Sequence, residues 1–264
     1  MNRINALFKN KKKDILSVYF TAGYPELNDT VEIIKELDKA GVDMIEIGMP
    51  FSDPVADGPV IQKSSEKALS NGMTLKLLFE QLSAIREATD IPIILMGYIN
   101  PVFRFGMENF LANCSSVGID GTIIPDLPVD EYLETYESLY DKNNIINIFL
   151  VSPQSSDERI KFLDNVSKGF LYVVSSSSTT GGTSGFAQSN INYFEKLDTL
   201  NLRSPKLIGF GISDNNSYIQ AGNYSNGVII GSAFIRSLEN DGSLPYKINN
   251  FVKSIRVKNE FTVL

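Results

Sequence analysis

Ile45-Glu46-Ile47-Gly48-Met49-Pro50-Phe51-Ser52-Asp53-Pro54-Val55-Ala56-Asp57-Gly58-Pro59-Val60-Ile61-Gln62 begins as a strand and ends as a loop. From Met44 to Ile47 the side chains alternate, with Ile45 and Ile47 on one face and Met44 and Glu46 on the other. Two branched apolar residues on the outer face imply a cover of helices. Glu46 is then left on the inner face, near the C-terminal end of the strand. Gly48 and Pro50 stop the strand, and Asp53-Pro54 and Asp57-Gly58-Pro59 are turn chemistry. Three carboxylates therefore share one strand end and one proline-restrained loop.

The same rhythm of strand then helix continues on both sides of this stretch. Strands are expected at 15–20, 44–47, 91–96, 121–124, 145–151, 170–174, 206–209 and 228–230. Helices are expected near 28–40, 74–88, 107–117, 129–140, 157–166, 191–200, 215–221 and 246–256. An amphipathic helix over 1–9, with Ile4, Leu7 and Phe8 on one side, precedes them. Eight βα units in a chain of 264 residues predict a single (β/α)8 TIM barrel over 1–264 with an extra N-terminal helix. A doubly wound open sheet competes, but no G-x-G-x-x-G follows the first strand.

Composition narrows the chemistry. The chain has no histidine, which excludes Ser-His-Asp and Cys-His nucleophile activation and every histidine-bound metal. Cys114 is the only cysteine, so an internal disulfide and a cysteine zinc site are excluded too, and a buried thiol is expected. Acid–base work falls to Asp, Glu, Tyr or Lys. A net charge of −7 argues against nucleic acid or an anionic membrane as partner. No signal peptide and no transmembrane run is evident, and a cytoplasmic location is expected.

Barrel chemistry belongs to the C-terminal strand ends. Glu46, aimed into a narrow apolar tube, has its neutral form favoured by poor hydration, which suits proton exchange near neutrality. Taken alone, a buried structural ion pair is as good an account of it. Asp57 can reach back over the barrel mouth, although Asp before Gly is also ordinary turn chemistry. Gly209-Phe210-Gly211 after the seventh strand and Gly231-Ser232 after the eighth offer backbone N–H groups to an anion. The polar run Ser175 to Gly185 is either a surface loop or a lid over the mouth. Tyr19, Tyr98, Ile123, Phe149, Tyr172 and Phe210 either line a flat apolar pocket or simply pack the core.

The stretch from Glu46 to Gln62 resembles the signature of the tryptophan synthase alpha subunit family. So do, in order, Phe20-Thr-Ala-Gly-Tyr-Pro25, Met96-Gly-Tyr-Ile-Asn-Pro101, Pro125-Asp-Leu-Pro128, Thr180-Gly181, Gly209-Phe-Gly211 and Gly231-Ser-Ala233. The resemblance implies a barrel lyase that cleaves indole-3-glycerol phosphate to indole and glyceraldehyde 3-phosphate in tryptophan biosynthesis. It implies Glu46 as acid and base, and Asp57 as the carboxylate facing the indole nitrogen. By the same resemblance Tyr172 and Thr180 lie beside the substrate, and Gly181, Gly211, Gly231 and Ser232 hold its phosphate. Asp53 and Pro128 face a partner beta subunit in an expected alpha2-beta2 heterotetramer. No cofactor is expected in this chain; pyridoxal phosphate belongs to the partner, which receives the indole through a tunnel. One departure concerns the sixth loop. Ser176 and Ser178 stand where the family carries Arg and Gly, which bears on lid closure and leaves both carboxylates untouched. Another sugar-phosphate barrel enzyme, or a non-catalytic barrel that regulates a partner, remains open at this stage.

Overall fold

In the computed structural model, which describes residues 1–54, 56–175 and 186–257, every strand pairing is parallel. The strands are β1 (Ile15–Thr21), β2 (Met44–Gly48), β3 (Ile93–Met96), β4 (Gly121–Ile123), β5 (Ile146–Asn147), β6 (Phe149–Val151), β7 (Leu171–Val174), β8 (Lys206–Gly209) and β9 (Gly227–Ile230). Their spatial order is β5-β4-β3-β2-β1-β9-β8-β7-β6. The two ends of the sheet, β5 and β6, are successive pieces of one strand interrupted at Ile148. The sheet thus closes through the chain itself, and the eight expected strands are present as nine segments. Closure leaves no long edge open to pair with another chain.

The helices are α1 (Arg3–Asn10), α2 (Asp29–Lys39), α3 (Pro59–Ser70), α4 (Leu75–Leu82), α5 (Ile99–Phe105), α6 (Met107–Ser116) and α7 (Val129–Glu131). They continue with α8 (Glu137–Asn143), α9 (Asp157–Val166), α10 (Gln188–Thr199), α11 (Asn215–Gly222), α12 (Ser232–Ser237) and α13 (Leu244–Ile255). The helix expected over 129–140 is interrupted by a widened turn at Tyr132–Tyr136. The one expected over 74–88 breaks after Leu82 and resumes as a single tight turn at Ile85–Glu87. Besides α12, which opens at the Gly231-Ser232 turn, two helices lie where none was expected. In α3 the buried positions are Ser64, Ser65 and Ala68, so no apolar stripe marks it. Its signal is Pro59 at the first helical position. In α5, seven residues are too few for a periodic pattern to show.

Side-chain alternation splits the core into two layers. Met44, Ile94, Ile123, Leu207 and Ile229 fill the inside of the barrel. Ile45 and Ile47 belong to the larger outer layer, under the helices, as their register requires. α1 plugs the N-terminal end of the barrel. Asn2 caps it by accepting from the Ile4 N–H at 2.9 Å and donates its own amide to the Asp120 carbonyl at 2.8 Å. Ile4 and Phe8 then reach the inner layer, with Phe8 against Phe170 at a centroid distance of 5.5 Å. The buried Asp120 carboxylate ties this end together. It accepts from Arg86 at 2.7 Å, from the Ile93 N–H at 3.0 Å and from Arg3 at 3.2 Å. That leaves the other end, where the strands terminate and cavities open. Among the described residues, no helix is long and apolar enough to cross a membrane.

Candidate active site

Glu46 points into the barrel from β2, beside Tyr19 of β1 in the parallel register. Its side chain has no solvent exposure. Ser17 of β1 donates its hydroxyl to Oε1 at 2.8 Å, and Oε2 has no hydrogen-bond partner among the described residues. No cation is paired with it among those residues, so the alternative of a structural ion pair fails. Burial pushes its pKa up to about 8, against a smaller downward pull from the Ser17 hydrogen bond. A carboxyl group in this setting is neutral at pH 7 and close to its point of exchange.

Two aromatic rings, Tyr19 on β1 and Tyr172 on β7, lean over neighbouring strand ends close to Glu46. A β-carbon on Gly48 would sit 2.1 Å from the Tyr19 hydroxyl oxygen, and one on Gly209 would sit 2.3 Å from that of Tyr172. Glycine at these two strand ends is what lets the rings lean over β2 and β8. Burial raises the pKa of both tyrosines, and the nearby carboxylates Glu46 and Asp57 raise them further. Both phenols therefore stay protonated and neutral.

Asp57 sits in the loop after β2. Tyr98 donates its hydroxyl to Oδ2 at 3.1 Å and accepts from the Ala56 N–H at 3.0 Å. Burial raises the Asp57 pKa, and the Tyr98 bond lowers it. Gln62 of α3 donates to the Asp57 carbonyl at 2.8 Å and so fixes the loop from its helical side. Two cavities meet at this carboxylate. One, of about 250 Å³, is mostly apolar, with Met49, Phe51, Tyr98, Leu150 and Val174 in its wall. The other, of about 440 Å³, runs to Gly211, Gly231, Ser232 and Arg236. Tyr19, Asp57 and Phe210 border both. Glu46 borders neither; it is covered, with no solvent exposure, beside Tyr19.

The second cavity has the character of an anion site. Phe210 and Gly211 both turn left-handed, with φ of +69° and +70°. That turn carries the backbone away from β8 toward the cavity. Gly231 precedes α12, and the free N–H groups of its first turn lie at the cavity wall. Arg236, one helical turn beyond Ser232, lines the same space, and its guanidinium has no side-chain partner among the described residues. The two cavities together accept a molecule with a flat apolar end and an anionic end, and hold a carboxylate at the junction.

The expected site residues distribute as follows. Glu46, Asp57, Tyr172, Gly211, Gly231 and Ser232 converge on the barrel mouth. Asp53 and Pro128 are exposed on the rim of the same end, Asp53 beside a surface groove of about 600 Å³. Thr180, Gly181 and all of the expected lid beyond Ser175 lie outside the described residues. Of the aromatic and apolar candidates, Tyr19, Tyr98, Tyr172 and Phe210 border the cavities. Ile123 packs in the inner layer, and Phe149 faces outward against Tyr132 at 5.5 Å because it is odd in register with Ile148 and Leu150. Sequence reasoning missed the roles of Ser17 and Arg236. The available signals were a hydroxyl in the apolar run of β1 and a cation four residues after Ser232. Among the described residues, no group of three or more His, Cys, Asp or Glu is placed to hold a metal ion.

Comparison with known proteins agrees with this geometry over nearly the whole chain. The family model described as tryptophan synthase alpha chain matches residues 5–261. The tryptophan synthase alpha chain of Flavobacterium johnsoniae is 56% identical over 256 residues, covering 97% of this chain and 100% of its own. That of Phocaeicola vulgatus is 48% identical, with 97% and 100% covered. Among solved structures, the alpha chain from Legionella pneumophila superposes with a TM-score of 0.86 at 31% identity, covering 97% of this chain and 96% of that one. The A-subunit from Pyrococcus furiosus gives a TM-score of 0.85 at 33% identity, with 93% and 98% covered. With the family matched end to end, the barrel shared and the junction of two cavities in place, the chain belongs to the tryptophan synthase alpha chain family, lyases that cleave indole-3-glycerol phosphate.

Proposed function

We propose that this chain, acting as one barrel domain, performs the family's retro-aldol cleavage with Glu46 as its acid and base and Asp57 as its electrostatic partner. The indole ring occupies the apolar cavity and the phosphate occupies the glycine-lined one. Glu46, neutral at pH 7, gives the proton on its carboxyl to C3 of the indole. The ring becomes an indolenine-like cation, and the Asp57 carboxylate faces the charge that develops at its nitrogen. The C3–C3′ bonding pair then returns to the ring and neutralises it. The C3′ hydroxyl becomes the aldehyde, and its proton goes back to Glu46. The carboxyl ends as it began, so one group serves both half-steps. Proton exchange requires a rotation of Glu46 or Tyr19 that opens Oε2 to the cavity, because the side chain is covered.

The observation that carries this reading is the setting of Glu46: fully buried inside the barrel, held by one hydrogen bond from Ser17 and unpaired by any cation among the described residues, a setting that pushes its pKa up. Phosphate is held by backbone N–H groups of the Gly211 and Gly231 turns, by Ser232 and by the charge of Arg236; the roles that the resemblance implies for Gly181 at the phosphate and Thr180 beside the substrate fall outside the described residues. Tyr172 packs beside the substrate.

Asp53 and Pro128 face a beta subunit in an alpha2-beta2 heterotetramer. That partner carries the pyridoxal phosphate and takes up the indole, and this chain needs no cofactor of its own. Exposure of both residues on the rim of the chemical end supports the assignment. Indole release from indole-3-glycerol phosphate, measured with and without a cognate beta subunit, tests the reading. Glu46→Gln should lower release by about 10²–10⁴ while the protein still folds. A folded variant turning over near the parent rate would defeat it.

A further inference from the structure

We infer that Ser17 is a positioning residue for the reaction: its hydroxyl holds Oε1 of Glu46 and leaves Oε2 as the oxygen that exchanges the proton. This rests on the proton-carrying role given to Glu46 above. The geometry is local and specific. Ser17 and Glu46 lie on adjacent strands, both on the inner face and both without solvent exposure. The hydroxyl donates to Oε1 at 2.8 Å. Oε2 is left without a partner among the described residues.

A serine donor suits both protonation states of the carboxyl. When Glu46 is ionised, the hydroxyl satisfies one oxygen in a site that water does not reach. When Glu46 is neutral, the same donor favours the form with Oε1 as carbonyl oxygen and the proton on Oε2. Placement of the proton on the unpartnered oxygen follows in either direction of transfer. The bond also fixes the plane of the carboxyl group, since one anchored oxygen restricts rotation about the last side-chain torsion.

No other group around Glu46 offers this. Tyr19, also on β1, and Tyr172 on β7 stay protonated and could donate, but neither hydroxyl is bonded to Glu46, whose Oε2 is left without a partner among the described residues. Asp57, in the loop after β2, is acidic and cannot donate when ionised. Tyr98, after β3, is already bonded to Asp57. Among the described residues, β1 alone supplies a donor to this carboxyl group.

The test separates tuning from packing. Loss of a hydrogen bond to a carboxylate removes stabilisation of the charged form, so Ser17→Ala should raise the Glu46 pKa by about one unit. The acid form is the active one, so the alkaline limb of kcat/KM should move up by the same amount. At pH 7 kcat should fall about tenfold with KM within twofold, and Ser17→Thr, which keeps the hydroxyl, should restore both. The pKa can also be read without turnover. The infrared carbonyl band of the neutral carboxyl, identified by its loss in Glu46→Gln, should titrate near 8 in the parent and about one unit higher in Ser17→Ala. A band and a limb that stay at the parent pH overturn the inference, even if activity falls. An active Glu46→Gln overturns the acid–base assignment instead, so the two failures are distinguishable.

Discussion

At the scale of single residues, this site works by withholding partners. Glu46 has one hydrogen bond and no counter-charge among the described residues, and that deficiency is what keeps it neutral near pH 7. Asp57 is treated differently. It lies at the edge of two cavities, where burial raises its pKa and the hydrogen bond from Tyr98 offsets part of that rise. In the proposed mechanism these two carboxyls, eleven positions apart, take different assignments, one to move a proton and one to stay negative. Replacing Asp57 by Asn removes the charge and keeps the shape. Asp57→Asn should lower kcat by roughly 10²–10³ with little change in KM for the phosphate-bearing substrate. Steady-state kinetics of indole release measure this directly. A loss confined to KM would mean that Asp57 binds the ground state and does not stabilise developing charge.

At the scale of elements, the barrel separates holding from reacting. α1 closes the end away from the chemistry, where Phe8 meets Phe170 and the Asp120 carboxylate gathers Arg3, Arg86 and the Ile93 N–H. Truncating the plug should cost stability and spare catalysis. Phe8→Ala is expected to destabilise the fold by about 3–5 kcal/mol in urea unfolding while kcat stays within twofold. A large loss of kcat at full folding would show that the plug reaches the mouth through the inner layer. The same elements show what the sequence made legible. The period-two pattern around Ile45 and Ile47 placed Glu46 inside correctly, and the strand-ending glycines marked the second cavity. α3 escaped notice because it buries serines against the barrel, with Ser64 bonded to Thr21 at 2.7 Å, where a helix normally shows an apolar stripe. The split of the fifth strand at Ile148 escaped it because the alternation of inner and outer faces continues unbroken through the interruption. Ser17 escaped it because register between strands is not written in either strand alone. Its meaning appears only when β1 lies against β2.

At the scale of the whole molecule, the site has a thermodynamic signature. Glu46 ionises near 4.5 when exposed and near 8 in the fold. Below pH 4.5 the group is neutral in both states and imposes no penalty from charge. Between these values the unfolded chain has released the proton and the folded chain still holds it, so stability falls as pH rises. Above about 8 both states are ionised and the loss is complete. At about 1.4 kcal/mol per unit, the displacement is worth on the order of 5 kcal/mol, a large share of the stability of an ordinary domain. Glutamine cannot ionise, so Glu46→Gln should remove this slope. Unfolding by urea at several pH values should show the variant gaining on the parent steadily from pH 5 to pH 8, by several kcal/mol in total, with the difference level above that. The protein would then be more stable with glutamine than with glutamate at this position at pH 8, as expected of a carboxyl group held where it is poorly solvated. Parallel curves for the two proteins across this range would place the Glu46 pKa at its ordinary value and remove the physical basis for its role.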